Sequence, residues 1–255
     1  MISNFIEIFL LSIIQGVSEF LPISSAAHLV LASNIYEFKN QSLLIDISLH
    51  LGSLLAILFY FKDDIFNFTK NKNLFYKIII GSLPLIIIGY LLYTLNIIDY
   101  FRNIKVIAWA TLFFGILLYI ADKNKFLKKI DTDFNIKSVL IIGFFQILAL
   151  IPGVSRAGIT ITAGRILGFD RTESTKISFY LSIPALAGAS ALGIKDFFNK
   201  SIDFNALVLL GIFLSFIFSL LTIKIFLRFI KNFSLNVFVI YRLFLAIILF
   251  YIIYF

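Results

Sequence analysis

The sequence predicts an all-α polytopic membrane protein, with six full transmembrane helices and two re-entrant broken-helix hairpins in an inverted-topology repeat. Three observations carry that prediction. First, 60% of the 255 residues are hydrophobic and 14% charged, where an ordinary soluble domain has roughly 25% charged. A soluble globule of this size could not cover 31 Phe side chains with so few charges. Second, six segments approach the roughly 20 mostly apolar residues of a spanning helix: 43–62, 75–95, 104–121, 177–197, 205–230 and 236–255. Third, two further apolar stretches, 2–33 and 136–168, are each interrupted by Pro, Gly and Ser.

The composition excludes a soluble enzyme, a disordered protein and a secreted disulfide scaffold. Cys is absent, so thiolate chemistry and Cys-based metal sites are excluded too. The N-terminus, Met1-Ile2-Ser3-Asn4-Phe5, lacks a basic region and reads as a membrane segment rather than a cleaved signal. In the first interrupted stretch the break is Pro22-Ile23-Ser24-Ser25; in the second it is Pro152-Gly153-Val154-Ser155-Arg156. A broken helix frees backbone N–H and C=O groups. Within a bilayer these are tolerated only where they are buried in protein or line a wet cavity. Both stretches therefore read as re-entrant hairpins, with the six full spans between and after them.

The halves match one another. Gln15 and Pro22 pair with Gln146 and Pro152, Ser25 with Ser155, and Lys62-Asp63 with Lys195-Asp196, at offsets of 131, 130, 130 and 133. Residues 1–122 form one hairpin plus three spans, and residues 136–255 form the second such set. Three is odd, so the second repeat is inverted, and its site is expected at the midplane where the breaks meet. The chain carries a net charge of +8. Topology accounts for this better than nucleic-acid binding does, because 14 Lys and Arg fall on one side and 5 on the other. The richer side is expected to be cytoplasmic, which puts both termini outside.

Ionisable groups within membrane segments are costly and default to functional candidates. Here they are Glu19, His28, Asp46, His50, Arg156 and Arg242, while Glu7 and Lys224 lie nearer segment ends. Gln15 and Glu19 share a helix face, and Pro22 ends that helix. Ser24 and Ser25 sit at the break, and His28 follows one turn later. Carboxylate, hydroxyl and imidazole together suit nucleophilic attack with acid–base assistance. The plainer reading, preferred for Ser24 alone, is a helix cap. In the second cluster Gly153 lets backbone approach a ligand, and Ser155 and Thr160 add hydroxyls. Arg156 supplies a fork suited to phosphate oxygens. A buried Arg needs an anion, either Glu19 or a substrate phosphate. Arg242 reads as a second phosphate ligand or a partner of Asp46. Asp46 and His50, four residues apart, read as satisfying each other.

Both clusters resemble motifs of the bacitracin-resistance family of undecaprenyl-diphosphatases. Gln15 to His28 is similar to its (Glu/Gln)-x-x-x-Glu motif followed by Pro-x-Ser-Ser-x-x-His, and Pro152 to Thr160 to its Pro-Gly-x-Ser-Arg-Ser-x-x-Thr motif. The resemblance covers the whole chain, down to Tyr241-Arg242. It implies a bacterial inner-membrane hydrolase that converts undecaprenyl diphosphate to undecaprenyl phosphate and inorganic phosphate. That reaction recycles the carrier for peptidoglycan synthesis and confers bacitracin resistance. It further implies Glu19 as the essential acid and Ser25 as nucleophile or phosphate contact. His28 would be the acid–base partner and Arg156 the phosphate clamp. Gln15, Ser24, Gly153, Ser155, Thr160 and Arg242 would hold the substrate. The family association with Mg2+ or Ca2+ makes Glu19 the candidate metal ligand, although a neutral Gln15 weakens a two-carboxylate site. Ala26, Ala27 and Ala157 depart from the commoner residues without removing the Glu, Ser, His and Arg set. A homodimer is left open. The competing expectation is a transporter or flippase of a polyprenyl phosphate on the same scaffold.

Overall fold

Helix occupies most of the chain that the structure, a computed structural model, describes: residues 4–36, 43–66, 72–101, 103–123, 127–200 and 206–254. Met1–Ser3 and the basic residues Lys39, Lys70, Arg102 and Lys125 lie outside these. Of Lys195, Asp196 and Lys200 only the helical backbone is described. The first half runs α1 (Asn4–Ser18), α2 (Ser25–Tyr36), α3 (Leu43–Tyr60), α4 (Lys62–Phe66), α5 (Lys72–Thr94) and α6 (Ile104–Asp122). The second runs α7 (Ile130–Asp133), α8 (Ile136–Ile147), α9 (Arg156–Ile166), α10 (Arg171–Lys200), α11 (Ala206–Asn232) and α12 (Asn236–Tyr254). Among the described residues the only extended pairing is a single bridge between Lys128 and Phe169.

Among the described residues four helices, α5, α6, α11 and α12, are long and apolar enough to cross a membrane, with mean hydropathies of 2.0 to 2.7. Their outward faces carry apolar side chains such as Ile87, Trp109, Phe213 and Ile240. The sequence predicts six such helices. The other two, α3 and α10, are helical as expected, with 18 and 30 residues. Both are packed among other helices, α3 against α10 and α11, and α10 against α9 and α5. Surrounded by protein, α10 buries Ser174, Ser178, Ser182 and Ser190 where a lipid-facing helix would carry Leu or Ile.

Both interrupted stretches break where the Pro and Ser clusters fall. α1 has 15 residues and α8 has 12, so at 1.5 Å per residue neither reaches across the roughly 30 Å of hydrocarbon. Ser24 and Ser155 each take a left-handed backbone, at φ 75° and 69°. Each accepts a hydrogen bond from the N–H three residues on, Ala27 at 3.4 Å and Gly158 at 3.1 Å. A Ser hydroxyl is well suited to cap a helix at such a turn. Ser24 and Ser155 thus share one cap geometry. Gly153 also has positive φ, 96°, and a Cβ there would lie 2.6 Å from the Ile107 carbonyl oxygen on α6. Only glycine lets the second break seat so closely.

Small residues set the helix spacings. A Cβ on Gly143 would meet the Gly81 carbonyl oxygen at 2.4 Å, where α8 crosses α5. A Cβ on Gly52 would meet the Ile212 carbonyl oxygen at 2.4 Å, where α3 crosses α11. Gly143→Val is expected to part α8 from α5 and cost about 1–3 kcal/mol of overpacking. Thermal unfolding in detergent measures it, and an unchanged midpoint would contradict this close crossing. Away from the breaks, Asp122 binds Arg165 at 3.1 Å and Arg171 at 2.8 Å, and accepts from the Leu235 N–H at 3.1 Å. That cluster ties α6 to α9, α10 and the segment leading into α12.

Candidate active site

A cavity of about 580 Å3 opens between the two breaks and helices α3, α5 and α10. Its walls are largely apolar, with Leu85 and Ile86 from α5, Leu150 from the approach to the second break, and Leu186 and Leu192 from α10. Its polar lining comes mostly from both breaks and α3, with Ser18, Glu19, Ser24, Ser25, His50, Ser155 and Arg156, and α5 adds Tyr90 and Tyr93. An apolar pocket with a few convergent polar groups is the usual form of a small-molecule site.

Glu19 and Arg156 meet there, 137 residues apart in sequence. Arg156 Nη2 donates to Glu19 Oε1 at 2.9 Å, and its Nη1 donates to the Ser178 carbonyl of α10 at 3.2 Å. Glu19 Oε2 accepts from Gln15 Nε2 at 3.0 Å and from Ser25 Oγ at 2.9 Å. The acid is thus held by donors from α1, α2 and α9. Gln15 itself is fully buried and does not line the cavity. It was expected to bind substrate; in the structure it orients Glu19 instead, through the four-residue spacing that was visible in the sequence. Thr160 is likewise removed from the lining. Its hydroxyl donates to the Arg156 carbonyl at 2.8 Å and pairs with Ser178 Oγ at 2.7 Å, which anchors the first turn of α9 against α10.

A model of the bacitracin resistance protein BacA family matches residues 8–248. The chain belongs to the BacA family. It is 58% identical to an undecaprenyl-diphosphatase of Pelagibacter ubique (strain HTCC1062) over 255 residues, all of both chains. It is 42% identical to one from Elusimicrobium minutum over 249 residues, covering 94% of this chain and 95% of that one. A third, from Alteromonas mediterranea, is 40% identical over 258 residues, covering 95% and 96%.

Two residues expected in the site of this BacA chain lie elsewhere. His28, expected as the acid–base partner, does not line the cavity. Its Nδ1 lies 2.6 Å from the Ser24 carbonyl, its Nε2 lies 2.5 Å from Tyr241 Oη, and its ring stacks on Tyr241 at 5.6 Å. Both nitrogens are engaged between the first break and α12. Arg242, expected as a second phosphate ligand or a partner of Asp46, is wholly buried. It donates to five backbone carbonyls: Gly153 at 2.8 Å, Val154 at 3.0 Å, Thr111 at 3.2 Å, and Pro22 and Ala110 at 3.4 Å. Breaking two helices frees carbonyls at Pro22 and at Gly153 and Val154, and one guanidinium from α12 satisfies both sets. Conversely, His50 was read as a partner of Asp46 and does line the cavity. Its Nδ1 is 2.7 Å from the Asp46 backbone carbonyl rather than from the carboxylate. Only the packing shows which of the two histidines lines the cavity.

The donor set does not fit a protein-held divalent cation. Among the described residues Glu19 is the one carboxylate lining the cavity, and both its oxygens already accept hydrogen bonds from Arg156, Gln15 and Ser25. No group of three or more His, Asp or Glu among the described residues is placed to hold a metal. An all-protein Ca2+ site takes six to eight oxygens, whereas Mg2+ is more often held through one or two carboxylates together with water and substrate phosphates.

Proposed function

We propose that this protein hydrolyses undecaprenyl diphosphate to undecaprenyl phosphate and inorganic phosphate in the bacterial inner membrane, and so contributes to peptidoglycan synthesis and bacitracin resistance. The observation that carries the proposal is the Glu19, Ser25 and Arg156 network in the wall of a largely apolar cavity. The apolar walls suit a prenyl chain and the network suits its diphosphate. The names borne by full-length relatives point to the same reaction.

In the proposed mechanism Ser25 is the nucleophile. Its hydroxyl already donates to Glu19 Oε2, so the proton has an acceptor and the oxygen lone pairs are left for phosphorus. Attack forms the Oγ–P bond to the terminal phosphate. The bond from that phosphorus to the bridging oxygen breaks, and its electron pair leaves with undecaprenyl phosphate. Water then releases inorganic phosphate and restores the Ser25 hydroxyl. Arg156 stabilises charge on the transferred phosphoryl oxygens. Ser24, Ser155 and the N–H groups behind them frame the pocket, and His28 and Arg242 brace the breaks without touching the substrate. No step runs through a metal ion.

The topology we propose keeps six spans and two re-entrant hairpins in an inverted repeat, with both termini outside the cytoplasm. Two features support it. α1 packs on α11 as α8 packs on α5, and Ser24 and Ser155 cap their breaks alike.

The test is phosphate release from a C55 prenyl diphosphate by purified protein in detergent, where no gradient can drive transport. Wild type is expected to release phosphate, and Ser25→Ala to lose at least about a hundredfold in rate. Folded wild type that releases none, yet moves prenyl phosphate across vesicles, would replace the hydrolase with a flippase.

A further inference from the structure

The cavity is short of positive charge for the substrate proposed for it. Its titratable lining among the described residues is Glu19, His50, Tyr90, Tyr93 and Arg156. Glu19 and Arg156 neutralise one another at 2.9 Å. A prenyl diphosphate head is a multiply charged anion, and enclosing it in largely apolar walls without compensation is costly. His50 is the remaining lining group able to gain positive charge.

Its geometry suits that task. The Asp46 carbonyl, 2.7 Å from Nδ1, can only accept, so Nδ1 carries the proton and the ring is fixed on α3. Nε2 is left for the cavity. The chain has 2 histidines, and the other, His28, has both nitrogens engaged outside the lining.

We propose that His50 is a head-group-binding residue: its Nε2 takes up a proton as the diphosphate enters and donates it in a hydrogen bond to a phosphate oxygen. The proposal rests on the hydrolase reading above. The groups facing His50 are Glu19 from the first break, Arg156 from α9, Tyr90 and Tyr93 from α5, and Asp46 on its own helix. Among the described residues α10 and α11 put no titratable side chain into the lining.

Calorimetric titration with farnesyl methylene-bisphosphonate, a non-hydrolysable prenyl diphosphate analogue, tests this with the full chain in detergent. Measurements near about pH 8 in buffers of different ionisation heat count the protons taken up. Wild type is expected to bind with proton uptake. His50→Gln and His50→Asn keep a polar amide but cannot carry the charge. They are expected to bind about 10- to 100-fold more weakly, with that uptake lost. Measuring both keeps one misfolded variant from deciding the result. Unchanged affinity and unchanged uptake in a folded variant would overturn the role of His50. Folded wild type that fails to bind the analogue would overturn the hydrolase reading on which it rests.

Discussion

Arg156→Ala is expected to lower phosphate release from undecaprenyl diphosphate by about two to three orders of magnitude, the usual cost of removing one preorganised donor from a developing oxyanion. The loss has two parts. The guanidinium no longer meets the transferred phosphoryl group, and Glu19 loses the donor on Oε1 at 2.9 Å. The fold is expected to survive, because Glu19 keeps Gln15 and Ser25 as donors and lies against a cavity rather than in dry packing. Arg156→Lys should recover only part of the rate. An ammonium keeps the charge but cannot reach Glu19 and the Ser178 carbonyl together as the fork does. Turnover assays beside thermal unfolding check both statements. Near wild-type turnover in folded Arg156→Ala would remove Arg156 from the mechanism.

Arg242→Leu is expected to act in the opposite order, on stability first. The substitution leaves the carbonyls of Pro22, Ala110, Thr111, Gly153 and Val154 without their donor. Each buried unsatisfied carbonyl costs about 1–3 kcal/mol before relaxation. With partial relaxation a total loss of about 3–5 kcal/mol follows. Activity should fall together with the unfolding midpoint, since both breaks lose their brace. Arg242→Lys should restore part of each. The decisive contrary result is lost activity at an unchanged midpoint, which would put Arg242 on the substrate after all.

These two arginines show how far the sequence carried the argument. Both stood out for the same reason, a cation within an apolar segment, and each was read as a phosphate ligand or an ion-pair partner, Arg156 of Glu19 and Arg242 of Asp46. One lines the cavity and the other is sealed among carbonyls. Backbone carbonyls exist at every position, so the acceptors of Arg242 leave no mark in a sequence. The same holds for the histidines. His28 lay one turn after Ser25 and looked catalytic, but its ring is drawn to Tyr241, 213 residues away. His50 looked like half of a local pair, yet its partner is a carbonyl on its own helix and its free side faces the cavity. The Gln15–Glu19 contact was legible because a four-residue spacing fixes it within one helix. α10 was legible as a helix but not as an interior one, since the Ser and Ala that mark its burial also occur on ordinary polar faces.

Composition and local sterics alone determined that this chain belongs in a membrane. They also placed the helix breaks, at Pro22 to Ser25 and at Pro152 to Arg156. Apolar length and the loss of an N–H at Pro are properties of short segments, so no fold is needed to read them. Tertiary structure alone decided that Glu19 meets Arg156, that Arg242 staples both breaks and that His50 rather than His28 reaches the cavity. Those pairings join elements more than about a hundred residues apart, or depend on which face of a helix packing leaves open. Such choices are set by the summed burial of whole helices, not by the residues that end up in contact.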